Sequence, residues 1–265
     1  MKITSRDNSL LRQARAVRDG KVDELIYIEG LRLSVEALRS KLNIEAVIVS
    51  EQLASKEKAA AAIDELTKAS SRIASVSEKL LESISYTKTP QGIVVLAQRP
   101  ESSEERLAQS LPKNPLLVVL HQINNPVNVG AILRTAEAAG ASGIITTKNT
   151  SDPFSPKSLR GAMGSAFRLA VWREAGFVDV IKWCRERSIS LVGTTAQAKV
   201  KHSEWDWTGA AALVLGPESI GLSEEELKAT DQTVSIPMHG EVESLNVSVA
   251  AGILLFEAAR QRAID

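Results

Sequence analysis

Five apolar residues stand together at Leu116-Leu117-Val118-Val119-Leu120, with no polar side chain to turn toward water. A strand of that composition is buried on both faces, the condition of an inner strand in a parallel sheet covered by helices. Gly143-Ile144-Ile145-Thr146, Leu191-Val192-Gly193, Ala212-Leu213-Val214-Leu215 and Val234-Ser235-Ile236 also read as strands. Helical patterns lie between them over residues 131–139, 158–167, 178–187 and 224–228. This alternation predicts an α/β fold with a mainly parallel sheet and helices on both faces. The chain closes with a helix over residues 245–262 that is too apolar for a surface helix.

A smaller alternation comes first. Residues 8–19 read as a helix: Asn8 or Ser9 can cap it, Leu10, Ala14 and Val17 share a face, and Gly20 stops it. Strand-like runs follow at 25–28, 46–49, 72–76 and 93–97, separated by helical patterns. Residues 1–98 therefore read as a small α/β domain. The tract 99–112, with Pro100, Pro112 and a Glu/Ser cluster, reads as a linker carrying one short helix. Residues 113–265 form the second domain.

Charge and cysteine content narrow the function classes. Lys plus Arg is 32 and Asp plus Glu is 32, so bulk charge does not hold nucleic acid, although a local patch can. Such a patch is offered by Lys2, Arg6, Arg12, Arg15 and Arg18, opposed only by Asp7 in the first eighteen residues. Cys184 is the single cysteine, which excludes an intramolecular disulfide and a Cys-rich metal site. The first residues lack the apolar core of a signal peptide, and no apolar run is long enough to span a bilayer. A cytoplasmic protein with no membrane partner and no metal is expected.

In parallel α/β sheets, ligands gather at the carboxyl ends of strands. Three loops rich in polar residues follow strands, at 121–130, 216–221 and 237–244. Gly130, Gly216, Gly221 and Gly240 allow close backbone approach or positive φ. Asn128, Arg134, Glu218, Ser244 and Asn246 supply donors, acceptors and charge, the last two in the first turn of the closing helix. Each alone has a plain structural use: Asn128 as a helix cap, Arg134 paired with Glu137, Glu218 solvated. Placed together on strand-end loops, they point to one site. The 216–221 loop lacks the Lys-Ser/Thr of a P-loop, and no G-x-G-x-x-G follows the first strand of either domain. His121, His202 and His239 have no metal-ligand spacing, though His121 and His239 lie on these loops. Trp205 and Trp207 flank Asp206 and are read as packing residues.

Three stretches resemble the signature motifs of the SpoU/TrmH-type RNA 2′-O-ribose methyltransferases of the SPOUT superfamily. They are Asn125-Pro126-Val127-Asn128-Val129-Gly130-Ala131-Ile132-Leu133-Arg134, then Leu215-Gly216-Pro217-Glu218-Ser219-Ile220-Gly221-Leu222-Ser223, then Ile236-Pro237-Met238 through Ser244-Leu245-Asn246-Val247. Order and spacing match as well; Pro217 departs from the small polar residue more usual there. Residues 1–98 are similar to an L30e-like RNA-binding domain through Ile3-Thr4-Ser5 with Asn8, Glu29-Gly30-Leu31-Arg32 and Thr89-Pro90-Gln91-Gly92.

The resemblance implies an SPOUT domain whose C-terminal segment threads a trefoil knot, S-adenosylmethionine as cofactor, and a homodimer with the active site near the subunit interface. It also implies methyl transfer to a ribose 2′-hydroxyl of structured RNA, with 23S ribosomal RNA favoured by the L30e-like domain. By the matching positions, Gly216, Ile236, Met238 and Leu245 would hold the cofactor. Asn128, Arg134, Glu218, Ser244 and Asn246 would line the reaction site, and Lys2, Arg6, Arg12, Arg15 and Arg18 would grip RNA. Transfer RNA as substrate, transfer to a base nitrogen, and an inert RNA-binding module on the same fold stand as alternatives.

Overall fold

The computed structural model describes residues 1–263. Met1–Pro100 with Phe154–Arg168 form one compact unit, and Glu101–Pro153 with the chain from Leu169 onward form another.

The first unit opens with β1 (Lys2–Ile3), α1 (Ser9–Arg18), β2 (Leu25–Glu29) and α2 (Leu31–Arg39). It continues through β3 (Ile44–Ser50), α3 (Glu51–Ala54), α4 (Glu57–Lys68), β4 (Ser70–Val76), α5 (Glu78–Ile84) and β5 (Ile93–Gln98). Asn8 caps α1 by accepting the Leu10 N–H at 2.9 Å, and Leu10, Leu11, Ala14 and Val17 bury the inner face. The sheet runs β1-β4-β3-β5-β2. It is mixed: β5 enters the middle antiparallel to both β2 and β3.

The tract expected as a linker holds α6 (Glu104–Ser110), whose Leu107 is fully buried in the core of the second unit. Next come β6 (Leu116–Leu120), α7 (Pro126–Ala138) and β7 (Gly143–Thr147). The helix expected over 158–167 is broken into α8 (Pro156–Ala162) and α9 (Ser165–Arg168), because Met163 and Gly164 both take positive φ, 50° and 98°. The second unit resumes with β8 (Ala170–Ala175), α10 (Phe177–Glu186), β9 (Ser190–Thr194) and β10 (Val200–Lys201). It closes with β11 (Ala211–Leu215), α11 (Glu224–Ala229), β12 (Gln232–Ser235) and α12 (Val247–Arg262).

Its seven strands run β10-β12-β9-β11-β6-β7-β8, and every pairing is parallel. Leu117, Val119, Ala212 and Val214 face a core shared with Leu107 of α6 and Val180, Ile181 and Trp183 of α10. Side chains alternate along a strand, so Val118 and Leu213 bury the opposite face. Helix α12 packs along α7. Trp207 is fully buried and donates its indole N–H to the His202 carbonyl at 2.9 Å, the packing use expected of it. Among the described residues no helix is long and apolar enough to cross a membrane.

Two boundaries differ from the sequence reading in a way that matters for the site. Helix α7 starts five residues early: Asn125 caps it by accepting the Val127 N–H at 3.0 Å, and Pro126 fills the first helical position. Asn128 and Gly130 are therefore buried helical residues rather than loop residues. Helix α12 starts two residues late, with Asn246 as its cap, so Ser244 lies in the loop before it.

Candidate active site

Strand pairing puts two of the three loops side by side. β11 neighbours β6 with Leu215 opposite Leu120, and the His121 N–H continues the ladder onto the Leu215 carbonyl at 2.9 Å. The loop after β11 therefore meets the loop after β6 directly. The contact is made by Glu218. Its carboxylate accepts the backbone N–H groups of Asn124 and Asn125, both at 3.2 Å, and the Asn128 Nδ2 at 3.1 Å.

Asn128 passes the connection on. Its Oδ1 accepts from Asn246 Nδ2 at 3.2 Å, and Asn246 Oδ1 accepts the Ser248 N–H at 2.9 Å and hydroxyl at 2.6 Å. One hydrogen-bonded chain, Glu218–Asn128–Asn246–Ser248, thus joins the starts of α7 and α12 to the loop after β11. Amide side chains suit this because each offers a donor and an acceptor at once.

Electrostatics assign Glu218 a fixed charge. Burial pushes its carboxyl up, but hydrogen bonds from Asn128 and the backbone outweigh this and leave it below the usual carboxylate range. A general base works best with a pKa near the working pH, so Glu218 suits positioning rather than proton removal.

The other expected site residues are placed unequally. Arg134 is exposed on α7 and, among the described residues, has no hydrogen bond or ion pair. It sits six residues beyond Asn128, about 9 Å along the axis and on a different face. Ser244 is exposed and likewise without a hydrogen bond among the described residues.

Ile236 and Met238 are half-buried, and Leu245 is 37% exposed. Ile220 and Val242 are 80% and 58% exposed on the neighbouring loops. Apolar side chains left open at strand ends suit a ligand with a flat apolar part, such as the adenine ring of S-adenosylmethionine.

Gly216 has its own reason: a Cβ there would lie 2.6 Å from the Leu222 amide nitrogen and 2.7 Å from the Gly221 carbonyl carbon. The loop doubles back on itself, so Gly216→Ala is expected to cost about 1–3 kcal/mol and to weaken cofactor binding. Thermal melts and calorimetry with S-adenosylmethionine would check this, and an unchanged midpoint and affinity would mean that the loop yields freely.

The amino-terminal cations are largely engaged within their own unit. Lys2 pairs with Glu51 at 2.8 Å, and Arg15 donates to the Arg6 carbonyl at 2.8 Å. Arg18 pairs with Asp19 at 2.8 Å and donates to the Ser85 carbonyl at 3.2 Å; its hydrogen bond to Asp19 raises the pKa of the guanidinium. The Arg6 and Arg12 side chains are exposed and, among the described residues, unpaired.

Sequence reasoning missed the backbone amides of Asn124 and Asn125 as partners of Glu218. The Asn-Pro pair at 125–126 carried the signal, since it marks a cap followed by the first helical position. Ser248 had a comparable signal as a small polar residue two after an Asn cap.

Residues 115–256 match the model of the SpoU rRNA Methylase family, and residues 10–95 match that of the MRM3-like substrate binding domain. The 23S rRNA (guanosine-2′-O-)-methyltransferase RlmB of Haemophilus ducreyi is 35% identical over 76% of this chain and 83% of its own. The 23S rRNA guanosine 2′-O-methyltransferase RlmP of Bacillus subtilis is 30% identical over 86% of each chain. The crystal structure of an AdoMet-bound rRNA methyltransferase from Sinorhizobium meliloti superposes with a TM-score of 0.84 at 30% identity, covering 98% of this chain and 97% of that one. The SpoU methyltransferase AviRb from Streptomyces viridochromogenes, with AdoMet bound, gives a TM-score of 0.86 at 28% identity, covering 97% and 98%.

Proposed function

The chain belongs to the SpoU rRNA methylase family, and from that premise we propose that it methylates a ribose 2′-hydroxyl of 23S ribosomal RNA with S-adenosylmethionine as donor. The observation that carries this reading is the chain Glu218–Asn128–Asn246, which fixes all three motif loops in one constellation. The relatives that match most of the chain carry ribosomal RNA in their names. A neighbour described for methylation of C/U34 on tRNA covers only 62% of the chain, with a TM-score of 0.52. Transfer RNA is the second reading on that account.

S-adenosylmethionine supplies a methyl group already activated on a sulfonium. The protein must align the ribose oxygen with it and stabilise negative charge growing on that oxygen. Glu218 holds the two loops together, and Asn128 and Asn246 fix the starts of α7 and α12. Gly216, Ile236, Met238 and Leu245 form the cofactor side, and Ser244 faces the RNA. Arg134 stabilises the oxyanion and anchors a phosphate. A guanidinium hardly ever releases its proton, so the hydroxyl proton leaves to an RNA phosphate or to water.

The test is transfer of labelled methyl to total RNA, followed by digestion to nucleosides and mapping of the modified position. Label in ribose of 23S RNA is expected. Label in a base, label confined to transfer RNA, or no label would sink the reading.

The first unit grips the RNA, with the MRM3-like match as support. Arg6 and Arg12 are the cations of the amino-terminal group left free for phosphate. Arg6→Glu with Arg12→Glu is expected to weaken RNA binding about tenfold and to reduce the salt slope by about 2. Titration at several salt concentrations would check this, and an unchanged slope would remove the patch from the interface. Deleting residues 1–98 is a poorer test, because buried side chains such as Leu159 and Phe167 of the 154–168 segment belong to the same unit.

The protein acts as a cytoplasmic homodimer with a knotted second domain. For the knot, the support is that β9 and β11 lie between β12 and β6, and that the chain leaving β12 packs α12 on α7, the helix that follows β6. For the dimer, it is the stripe Leu245, Val249, Ile253 and Phe256, exposed by 37%, 51%, 36% and 54% along one side of α12 and its approach. Phe256→Glu is expected to weaken self-association by about 2–4 kcal/mol. Light scattering at micromolar concentration would show it, and a monomeric starting protein would end the dimer reading.

A further inference from the structure

His121 ends β6 and is 3% exposed. Its Nε2 lies 2.7 Å from Glu226 Oε1, its Nδ1 lies 3.0 Å from Thr147 Oγ1, and its ring rests against Phe177 with centroids 4.4 Å apart. Both ring nitrogens are satisfied when Nε2–H donates to Glu226 and Nδ1 accepts the Thr147 hydroxyl proton. Thr147 Oγ1 in turn accepts the Gln122 N–H at 3.2 Å. Gln122 stands in the left-handed region at φ 53°, so the turn that starts the loop depends on this support.

Glu226 holds more than His121. Its second oxygen accepts the Ser223 N–H at 2.7 Å, and Ser223 returns its hydroxyl oxygen to the Glu226 N–H at 3.3 Å. Burial pushes the Glu226 carboxyl up, but the bonds from Ser223 and His121 outweigh it. Ser223 is the last residue of the loop that carries Glu218. The loops after β6 and β11 are thus fastened twice: at the base by His121–Glu226–Ser223, and at the tip by Glu218 with Asn124, Asn125 and Asn128.

We propose that His121 is a positioning residue, clasping the two loops through Glu226 so that Glu218 meets the Asn124 and Asn125 amides. This rests on the methyltransfer reading only for its effect on the reaction; the clasp itself is a statement about loop order. A ring that merely filled space would be replaced well by phenylalanine, which keeps the contact with Phe177. A clasp needs a donor at the Nε2 position, which glutamine supplies and phenylalanine does not.

The experiment compares the full chain with His121→Phe, His121→Gln and Glu226→Ala. Amide hydrogen exchange at Asn124, Asn125 and Ser223, read by NMR, needs no turnover. Exchange at all three is expected to rise about tenfold or more in His121→Phe and Glu226→Ala, at little-changed exchange in the core strands, with partial recovery in His121→Gln. The KM for S-adenosylmethionine is expected to follow the same order, with kcat less affected. Wild-type exchange in His121→Phe, or glutamine no better than phenylalanine, overturns the clasp. Should His121→Phe not fold, Glu226→Ala carries the test from the outer side. Loop exchange that follows the prediction in a protein that transfers no methyl group would sink the functional reading and leave the clasp standing.

Discussion

Asn128→Ala is expected to lower kcat/KM by about two to three orders of magnitude, because it cuts a side chain hydrogen-bonded to both Glu218 and Asn246. Asn128 is 7% exposed, and alanine removes its donation to Glu218 together with its acceptance from Asn246. The polar groups left behind make the fold itself weaker by about 1–3 kcal/mol. Glu218 then keeps its backbone donors but loses the strongest bond opposing the effect of burial, so its carboxyl moves up. The consequence for pH has a definite sign. A carboxyl lowered in the folded state stabilises it above the unfolded pKa, and that contribution is lost as pH falls through the lowered folded value. The variant therefore has less of this contribution, and as pH falls it has lost all of it at a higher pH than the wild type. Single-turnover rates, with acid unfolding followed by circular dichroism, would measure both effects. Transfer within about threefold of wild type would show that the three loops hold their places without Asn128.

What the sequence made legible follows the range over which each cause acts. The strand at 116–120 was read to the residue, since unbroken apolarity is a property of the strand itself. The cap of α1 is narrowed to Asn8 or Ser9 by the sequence, and Asn8 takes it through a bond two residues long. The start of α7 was misplaced although its signal was equally local: Gly130 looked like a loop glycine, and its burial inside the helix depends on neighbours distant in sequence. Antiparallel entry of β5 into the first sheet could not be read at all, because an apolar run has no direction. The sequence groups Asn128, Arg134, Glu218, Ser244 and Asn246 on strand-end loops; hydrogen bonds join Asn128, Glu218 and Asn246, and that wiring is not visible in the sequence. Glu218 and Asn128, 90 positions apart, meet because β11 is seated beside β6, and Asn246 reaches Asn128 from 118 positions away because α12 packs along α7. The amides of Asn124 and Asn125 were invisible for a further reason: any residue other than proline offers the same N–H, and only geometry selects two of them.

Arg134→Ala is expected to lower turnover by about 10²–10³-fold while leaving stability within about 0.5 kcal/mol. The contrast with Asn128 is physical. Arg134 is exposed, and among the described residues no ion pair or hydrogen bond consumes its charge, so the fold does not depend on it. It lies seven residues beyond Val127, on nearly the same face of α7, where Val127 is 46% exposed. A surface charge gains strength only when something covers it, and on the function proposed above that cover would be the RNA together with a second subunit. Arg134→Lys separates the two roles assigned to the side chain. Lysine keeps the charge but not the planar fork, so a phosphate anchor alone would survive with a modest rise in KM for RNA. Stabilisation of a developing oxyanion by an aligned pair of N–H groups would not survive, and kcat would fall by about tenfold or more. Single-turnover kinetics with saturating enzyme in excess over RNA read the transfer step free of binding, and the salt dependence of affinity reads the phosphate contact. Full turnover in Arg134→Lys with normal RNA binding would remove any specific role for the guanidinium, leaving alignment by the three loops as the main source of rate.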